Sequence, residues 1–336
     1  MTGGAGFIGS NFIRYLFNKG LDIEVINLDL LTYAGRLENI NDVLRNLSHK
    51  IIKGDIRDRG KIMQVLREND IEMIVNFAAE THVDRSILDA SSFISTNIVG
   101  TYYLLESARN CDVSKFIQIS TDEVYGSTLD RSFKEIDSIN PSNPYSASKA
   151  SADLMVMAFH KTYGLDVNIV RSSNNFGPYQ YPEKLIPKLI LRALYNKYLP
   201  IYGDGMQIRD WIYVVDNCEA ITLVALKGKS GEIYNIASGN ELTNLEVGKL
   251  ILHILQKANE LIKLVPDRPG HDRRYSLDTT KIRSLGWKPR HSFKVSLKET
   301  IEWYVNNELW WKPLLRDLFI FSDTPSIPEK KKGEFV

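Results

Sequence analysis

The chain has 336 residues, 43% of them hydrophobic and 25% charged, which supports one large or two modest globular domains with a sizeable core. With 42 Lys and Arg against 41 Asp and Glu, the net charge is +1, so no global basic field invites nucleic acid and any phosphate binding has to be local. Cys111 and Cys218 are the only cysteines, too few for a disulfide framework or a cysteine metal site. No apolar run approaches the ~20 residues that span a bilayer, and no signal peptide opens the chain, so a cytoplasmic protein is expected.

The first motif is the glycine loop at residues 2–10, followed by a helical pattern through Ile13, Leu16 and Phe17 that stops at Lys19 and Gly20, then a strand-like run at 24–29. Gly3, Gly6 and Gly9 allow a tight turn, close backbone approach to a pyrophosphate and close helix packing, with the helix N-terminus facing the phosphates. Asp29 follows at about the interval at which a carboxylate accepts adenosine ribose hydroxyls. It would repel a 2′-phosphate, which favours NAD over NADP. Such a loop should follow a buried strand. Only Met1 precedes Thr2, so a clipped first strand and weakened cofactor affinity are expected.

Residues 50–58 read as a strand ending in an acidic turn, with Asp55 placed to meet the adenine amine, and a helix then runs to Asn69. Residues 73–80 form another buried strand ending in small residues, and Ala78 and Ala79 would let the cofactor pass close to the backbone. A long helical pattern covers 86–109. The next strand, 116–119, delivers Ser120, Thr121, Asp122 and Glu123. Asn143 and Pro144 start a helix that ends at Tyr163 and Gly164, and 167–171 is a sixth strand. This alternation predicts an α/β fold, a Rossmann-type doubly wound parallel sheet with a smaller α/β domain for the substrate. The expected division is 1–170 with a return segment at 209–238 for NAD, 171–208 and 239–322 for the substrate, and a solvated tail at 323–336.

Tyr145 and Lys149 are four residues apart and share one helical face. A phenol with a pKa near ~10 is a poor base unless a cation favours the phenolate. Lys149 and a positive nicotinamide ring would supply that charge. Tyr145 could then take a proton from a substrate hydroxyl as hydride leaves the same carbon, with Thr121 hydrogen-bonded to that oxygen.

These residues resemble the extended short-chain dehydrogenase/reductase family, and within it the nucleotide-sugar 4,6-dehydratases. The resemblance runs through the glycine loop, residues 29–35, 78–86, 120–126, 145–149, 174–180, 183–187 and 267–271. The adjacent Asp122 and Glu123 are its most telling feature, because epimerases on the same scaffold lack that pair. It implies NAD-dependent dehydration of dTDP-glucose to a 4-keto-6-deoxy sugar, as in rhamnose-type deoxysugar biosynthesis. Oxidation at C4 acidifies the C5 proton, and loss of water across C5 and C6 then needs a base and an acid, for which Glu123 and Asp122 are suited. Alternatives are a UDP-sugar 4,6-dehydratase, a nucleotide-sugar 4-epimerase and a non-catalytic NAD-binding regulator.

The resemblance further implies a cofactor site that includes Phe7, Ile8, Thr32, Ile56, Phe77, Thr96 and Asn175. It implies a nucleotide-sugar site from Thr81, Asn174, Lys184, Leu185, Pro200, Tyr202, Arg209 and Asn244, together with Asp267, Arg268 and His271. Arg209 and Lys184 suit a diphosphate. Helices 86–109 and 145–163 are expected to pair across a homodimer. His82 and His271 lack partners at ligand spacing, so no metal is expected. Trp303, Trp310 and Trp311 are expected to pack a terminal helix.

Overall fold

The structure is a computed structural model that describes residues 1–316; the expected tail and the last residues of the expected substrate domain, 317–322, lie outside the described residues. Six strands make the large sheet: β1 (Val25–Asp29), β2 (His49–Lys53), β3 (Met73–Asn76), β4 (Lys115–Thr121), β5 (Val167–Ser172) and, much later, β9 (Glu232–Ile236). β1 pairs with β2, and β3, β4, β5 and β9 follow one another, all in parallel.

Met1 and Thr2 occupy the gap between these two groups. Thr2 bridges in parallel to Leu28 on one side and Asn76 on the other. Its amide donates to the Val75 carbonyl at 3.1 Å, and the Leu28 and Phe77 amides donate to the carbonyls of Met1 and Thr2. Two residues therefore stand where a first strand was expected, and they still aim the glycine loop at the C-terminal edge of the sheet. The chain winds outward from here in both directions, so the crevice at this edge is the switch point where ligands of doubly wound sheets bind.

Helices cover both faces because their apolar stripes need burial. On one face Phe7–Asn18 and Val214–Lys227 contribute Phe12, Ile13, Ile221 and Val224 to a core under the sheet. On the other, Arg59–Glu68, Thr101–Asn110 and Pro144–Tyr163 bring Leu66, Leu104, Leu105, Val156 and Phe159. The last of these starts with Pro144 inside a capping box of Asn143 and Ser146 and ends on Gly164 at φ +72°, the left-handed stop that glycine accepts.

The stretch expected to be one helix over 86–109 is divided. A helix at Val83–Leu88 ends where Asp89 turns extended, and a wide π turn at Ile94–Gly100 precedes Thr101–Asn110. In that wide turn Asn97 holds the backbone of Glu80 in both directions, accepting from its amide at 2.9 Å and donating to its carbonyl at 3.0 Å. The local insertion thus fixes a loop at the sheet edge.

Between β5 and β9 lie β6 (Asn174–Phe176), β7 (Leu199–Tyr202) and β8 (Ile208–Tyr213); β10 (Glu241–Thr243) and β11 (Ile262–Val265) follow. β8 joins β6 and β10, and β7 joins β11, and the helix that leads back to the large sheet starts at Val214. A second core gathers Phe176, Ile190, Trp211, Val247, Leu297 and Tyr304. Trp310 and Trp311 are buried in it, and the Trp310 indole reaches Asn39 of the first lobe at 2.8 Å. No helix among the described residues is long and apolar enough to cross a membrane.

Candidate active site

The glycine loop floors a cavity of about 480 Å³. Gly3 has φ +69°, and a Cβ there would lie 2.5 Å from the Ala78 nitrogen; at Gly9 it would lie 2.4 Å from the Gly3 carbonyl oxygen. Backbone meets backbone at both positions, so no side chain can move aside. The Phe7–Asn18 helix has no side-chain cap and no acidic residue in its first turn, leaving its amides and positive dipole end for an anion. Gly9→Ala is therefore expected to strip bound NAD from the purified protein and to lower its melting temperature, read by nucleotide content and thermal unfolding.

The remaining residues expected at the cofactor line the same cavity: Phe7 and Ile8 beside the glycines, Thr32, Asp55 and Ile56, then Phe77, Ala78, Ala79, Thr96 and Asn175. Asp29 lines it as well. Its two oxygens accept from the Ala5 and Leu31 amides at 2.9 and 2.8 Å, and burial raises its carboxyl above the usual range. Asp55 is clamped by the Arg57 guanidinium at 2.6–3.0 Å. Asn175 Oδ1 is buried without a partner, a feature that a bound ligand would satisfy. The cradle and this orphan acceptor fit a dinucleotide.

β4 ends at Thr121 inside this cavity, and the tight turn Asp122–Tyr125 follows. Thr121 donates to Asp122 at 3.2 Å and accepts from the Glu123 amide at 3.3 Å, and its hydroxyl opposes the rise in the pKa of the Tyr145 phenol. Burial, followed by the neighbouring Glu123 carboxylate, pushes Asp122 well above the usual carboxylate range. Burial raises Glu123 too, but Arg268, Arg209 and Lys184 pull it back. Asp122 Oδ2 and Glu123 Oε2 have no partner. Two adjacent carboxyls thus differ in environment, one set to hold a proton and one facing cations.

Lys149 lines the cofactor cavity together with Tyr145. Its ammonium donates to the Ile119 carbonyl at 2.6 Å, and burial lowers its pKa to about 8. The Tyr145 phenol is dominated by burial and by Glu123, both of which hold it protonated.

A second cavity of about 170 Å³ opens beside the first. Thr81, Glu123, Asn174 and Lys184 line both, and Leu185, Pro200, Tyr202, Arg209, Asn244, Arg268 and His271 line the second. Asp267 lines neither. It instead accepts from His271 Nδ1 at 2.6 Å and from Gln207 at 3.0 Å, which orients the loop. Arg209 donates to the Ile208 and Asp272 carbonyls and lies 4.2 Å over the Tyr275 ring, which holds its guanidinium in place while other N–H donors stay open to a ligand. The buried Arg268 Nε, Asn244 Oδ1 and Asn174 Oδ1 have no partner. Among the described residues no group of three His, Cys, Asp or Glu could hold a metal ion.

Asp84 and Glu183 also line the second cavity, and neither is among the site residues expected from the sequence. Asp84 accepts from Arg268 and Tyr202, both at 2.9 Å, and so fastens two walls of the second cavity. Both acids lie inside or beside motifs already noted, but their partners are far away in the chain, and only folding reveals them.

His82 Nδ1 caps the Val83–Leu88 helix by accepting from the Arg85 amide at 3.3 Å. Burial is the main cause of its pKa falling from 6.5 to about 4. The unfolded chain therefore takes up this proton first. Stability from this group is complete above about pH 6.5 and falls as pH drops toward 4, by up to ~3 kcal/mol. His82→Gln is expected to lack that component, seen as a smaller fall in melting temperature between those pH values than in the unaltered protein.

The chain matches the family model described as GDP-mannose 4,6 dehydratase over residues 1–300. It is 50% identical over 308 residues to the low-salt glycan biosynthesis protein Agl12 of Haloferax volcanii, covering 92% of this chain and 98% of that one. It is 48% identical to the dTDP-glucose 4,6-dehydratase of Streptomyces niveus, covering 94% of each. The crystal structure of DesIV, a dTDP-glucose 4,6-dehydratase from Streptomyces venezuelae with NAD and TYD bound, superposes with a TM-score of 0.91 at 47% identity. That match covers 93% of this chain and 98% of DesIV. With a glycine-cradled cavity, a Thr–Tyr pair and an adjacent Asp–Glu pair on one sheet edge, the chain belongs to the GDP-mannose 4,6 dehydratase family, within the extended short-chain dehydrogenases/reductases.

Proposed function

We propose that the protein is an NAD-dependent hydro-lyase that converts dTDP-glucose to dTDP-4-keto-6-deoxyglucose, in deoxysugar biosynthesis. The observation that carries this reading is the adjacent pair of buried Asp122 and half-buried Glu123, with one oxygen of each unpartnered, where the cofactor and substrate cavities meet. Bound NAD would supply a reversible acceptor for hydride. The chain's own residues manage protons and position. Tyr145 takes the C4 hydroxyl proton while Thr121 holds that oxygen. The resulting ketone acidifies C5, Glu123 removes the C5 proton, and Asp122 protonates the departing C6 hydroxyl. Glu123 then returns its proton to C5 as hydride is delivered to C6.

In the same proposal residues 1–170 and the returning segment hold NAD, while 171–208 and 239–316 hold the nucleotide sugar. The protein acts in the cytoplasm and pairs as a homodimer through the faces that expose Ile94 (52%), Val99 (37%) and Leu154 (61%). Sedimentation as a monomer at micromolar concentration would overturn that assembly. The test of function is parallel incubation with dTDP-glucose and UDP-glucose, with and without added NAD. A 4-keto-6-deoxy product, which absorbs in alkali, is expected from dTDP-glucose. An epimer, or no keto product from either sugar, would defeat the reading.

A further inference from the structure

The reaction proposed above withdraws hydride from one carbon and returns it to another, so the same cofactor molecule has to stay bound throughout. What holds it there is not assigned by the glycine loop, which lies at the pyrophosphate end of the cavity. Three segments line the cofactor cavity, two of them also reaching the substrate cavity through Thr81, Glu183 and Lys184. They are the loop that contributes Leu30, Thr32 and Ala34, the stretch with Glu80 and Thr81, and the turn with Tyr181, Glu183 and Lys184.

One carboxylate ties all three together. The Glu183 side chain is 1% exposed. Its Oε2 accepts from Arg85 Nε at 3.0 Å, and its Oε1 accepts from the Tyr33 hydroxyl at 3.0 Å. The Arg85 guanidinium lies 4.4 Å over the Tyr33 ring, and the edge of that ring pair is closed by Tyr181 at 5.1 Å. Next in the chain, Lys184 donates to the Thr81 carbonyl at 2.6 Å, a second tie between the same two segments. Partners 150 and 98 residues away thus converge on a single buried group. A buried carboxylate with both oxygens in charge-assisted or phenolic bonds is a rigid joint, and removing one partner loosens the others.

We propose that Glu183, with Tyr33 and Arg85, is a positioning knot that retains NAD by locking the loop of residues 30–35 over the cofactor cavity. The knot touches neither reacting carbon. Its effect is on residence time, because affinity changes within one site appear mostly as changes in dissociation rate. The proposal rests on the functional reading above, but its first readout, the rate of NAD loss, does not require turnover.

The protein is loaded with NAD, passed rapidly through gel filtration, and the nucleotide still bound is counted over time for the unaltered chain, Glu183→Gln and Tyr33→Phe. Dissociation at least tenfold faster in Glu183→Gln, and several-fold faster in Tyr33→Phe, with activity restored by excess NAD, is the expected result. Tyr33→Phe removes one hydroxyl and keeps the ring, so it carries the test alone if Glu183→Gln does not fold. Dissociation as slow as in the unaltered chain in the folded variants, or lost activity that excess NAD does not restore, overturns the proposal. If the unaltered chain itself makes no keto sugar while both variants release NAD faster than it does, the knot stands and the dehydratase reading falls.

Discussion

Glu123→Gln is expected to slow formation of the keto product by roughly 10²–10⁴-fold, the range spanned by a positioned general base. Glutamine keeps the volume, so the cavity is not reshaped. What disappears is the proton acceptor whose Oε2 has no partner in the site and whose charge faces Arg268, Arg209 and Lys184. The distinguishing readout is solvent deuterium at C5, which Glu123→Gln should no longer incorporate. Asp122→Asn provides the contrast: C5 exchange should persist, because the base remains, while water loss from C6 slows. Exchange at the unaltered rate in Glu123→Gln would remove Glu123 from the role of base.

The second large effect concerns stability. Asp153→Ala is expected to cost ~3–5 kcal/mol, because it leaves a buried guanidinium without its counter-charge. Arg171 Nε meets Asp153 Oδ2 at 2.9 Å, with side chains only 5% and 1% exposed, and the guanidinium lies 4.6 Å over the Tyr125 ring. The pair ties β5 to the helix that carries Tyr145, and the stacked ring ties both to the turn that carries Asp122. Denaturant unfolding should show a lower midpoint with an unchanged slope. A double change, Asp153→Leu with Arg171→Met, should recover much of the loss, since the penalty comes from the orphaned charge. If Asp153→Ala unfolds within about 1 kcal/mol of the unaltered chain, the pair is not a brace.

Much of the large sheet was legible because its strands are continuous apolar runs and its helices carry clear start and stop residues, as at Asn143, Pro144 and Gly164. The glycine loop was legible because only backbone sterics satisfy its geometry. The small sheets were harder. β6, β7 and β10 are three or four residues long, and too short a run shows no period. The break within 86–109 was invisible for another reason. Asn97 forms its wide turn by holding Glu80, a contact made across the fold and not along the helix. The same holds for the site. Asp122, Glu123 and Tyr145 could be read as a cluster because the chain presents them close together. That Lys149 turns to the Ile119 carbonyl, or that Asp84 fastens Arg268, depends on partners the local sequence does not contain.

Thr121 bears on how the site resets. On the proposed chemistry, each turnover leaves Tyr145 holding the C4 hydroxyl proton and Asp122 lacking the one it gave to water. The site must move one proton from the phenol to the carboxyl before it can act again. Thr121 donates to Asp122 and acts on the Tyr145 phenol, and a hydroxyl can accept on one side while it donates on the other. The residue proposed to steady the substrate oxygen in the first half of the cycle therefore also stands between the two groups whose proton must be passed on before the next.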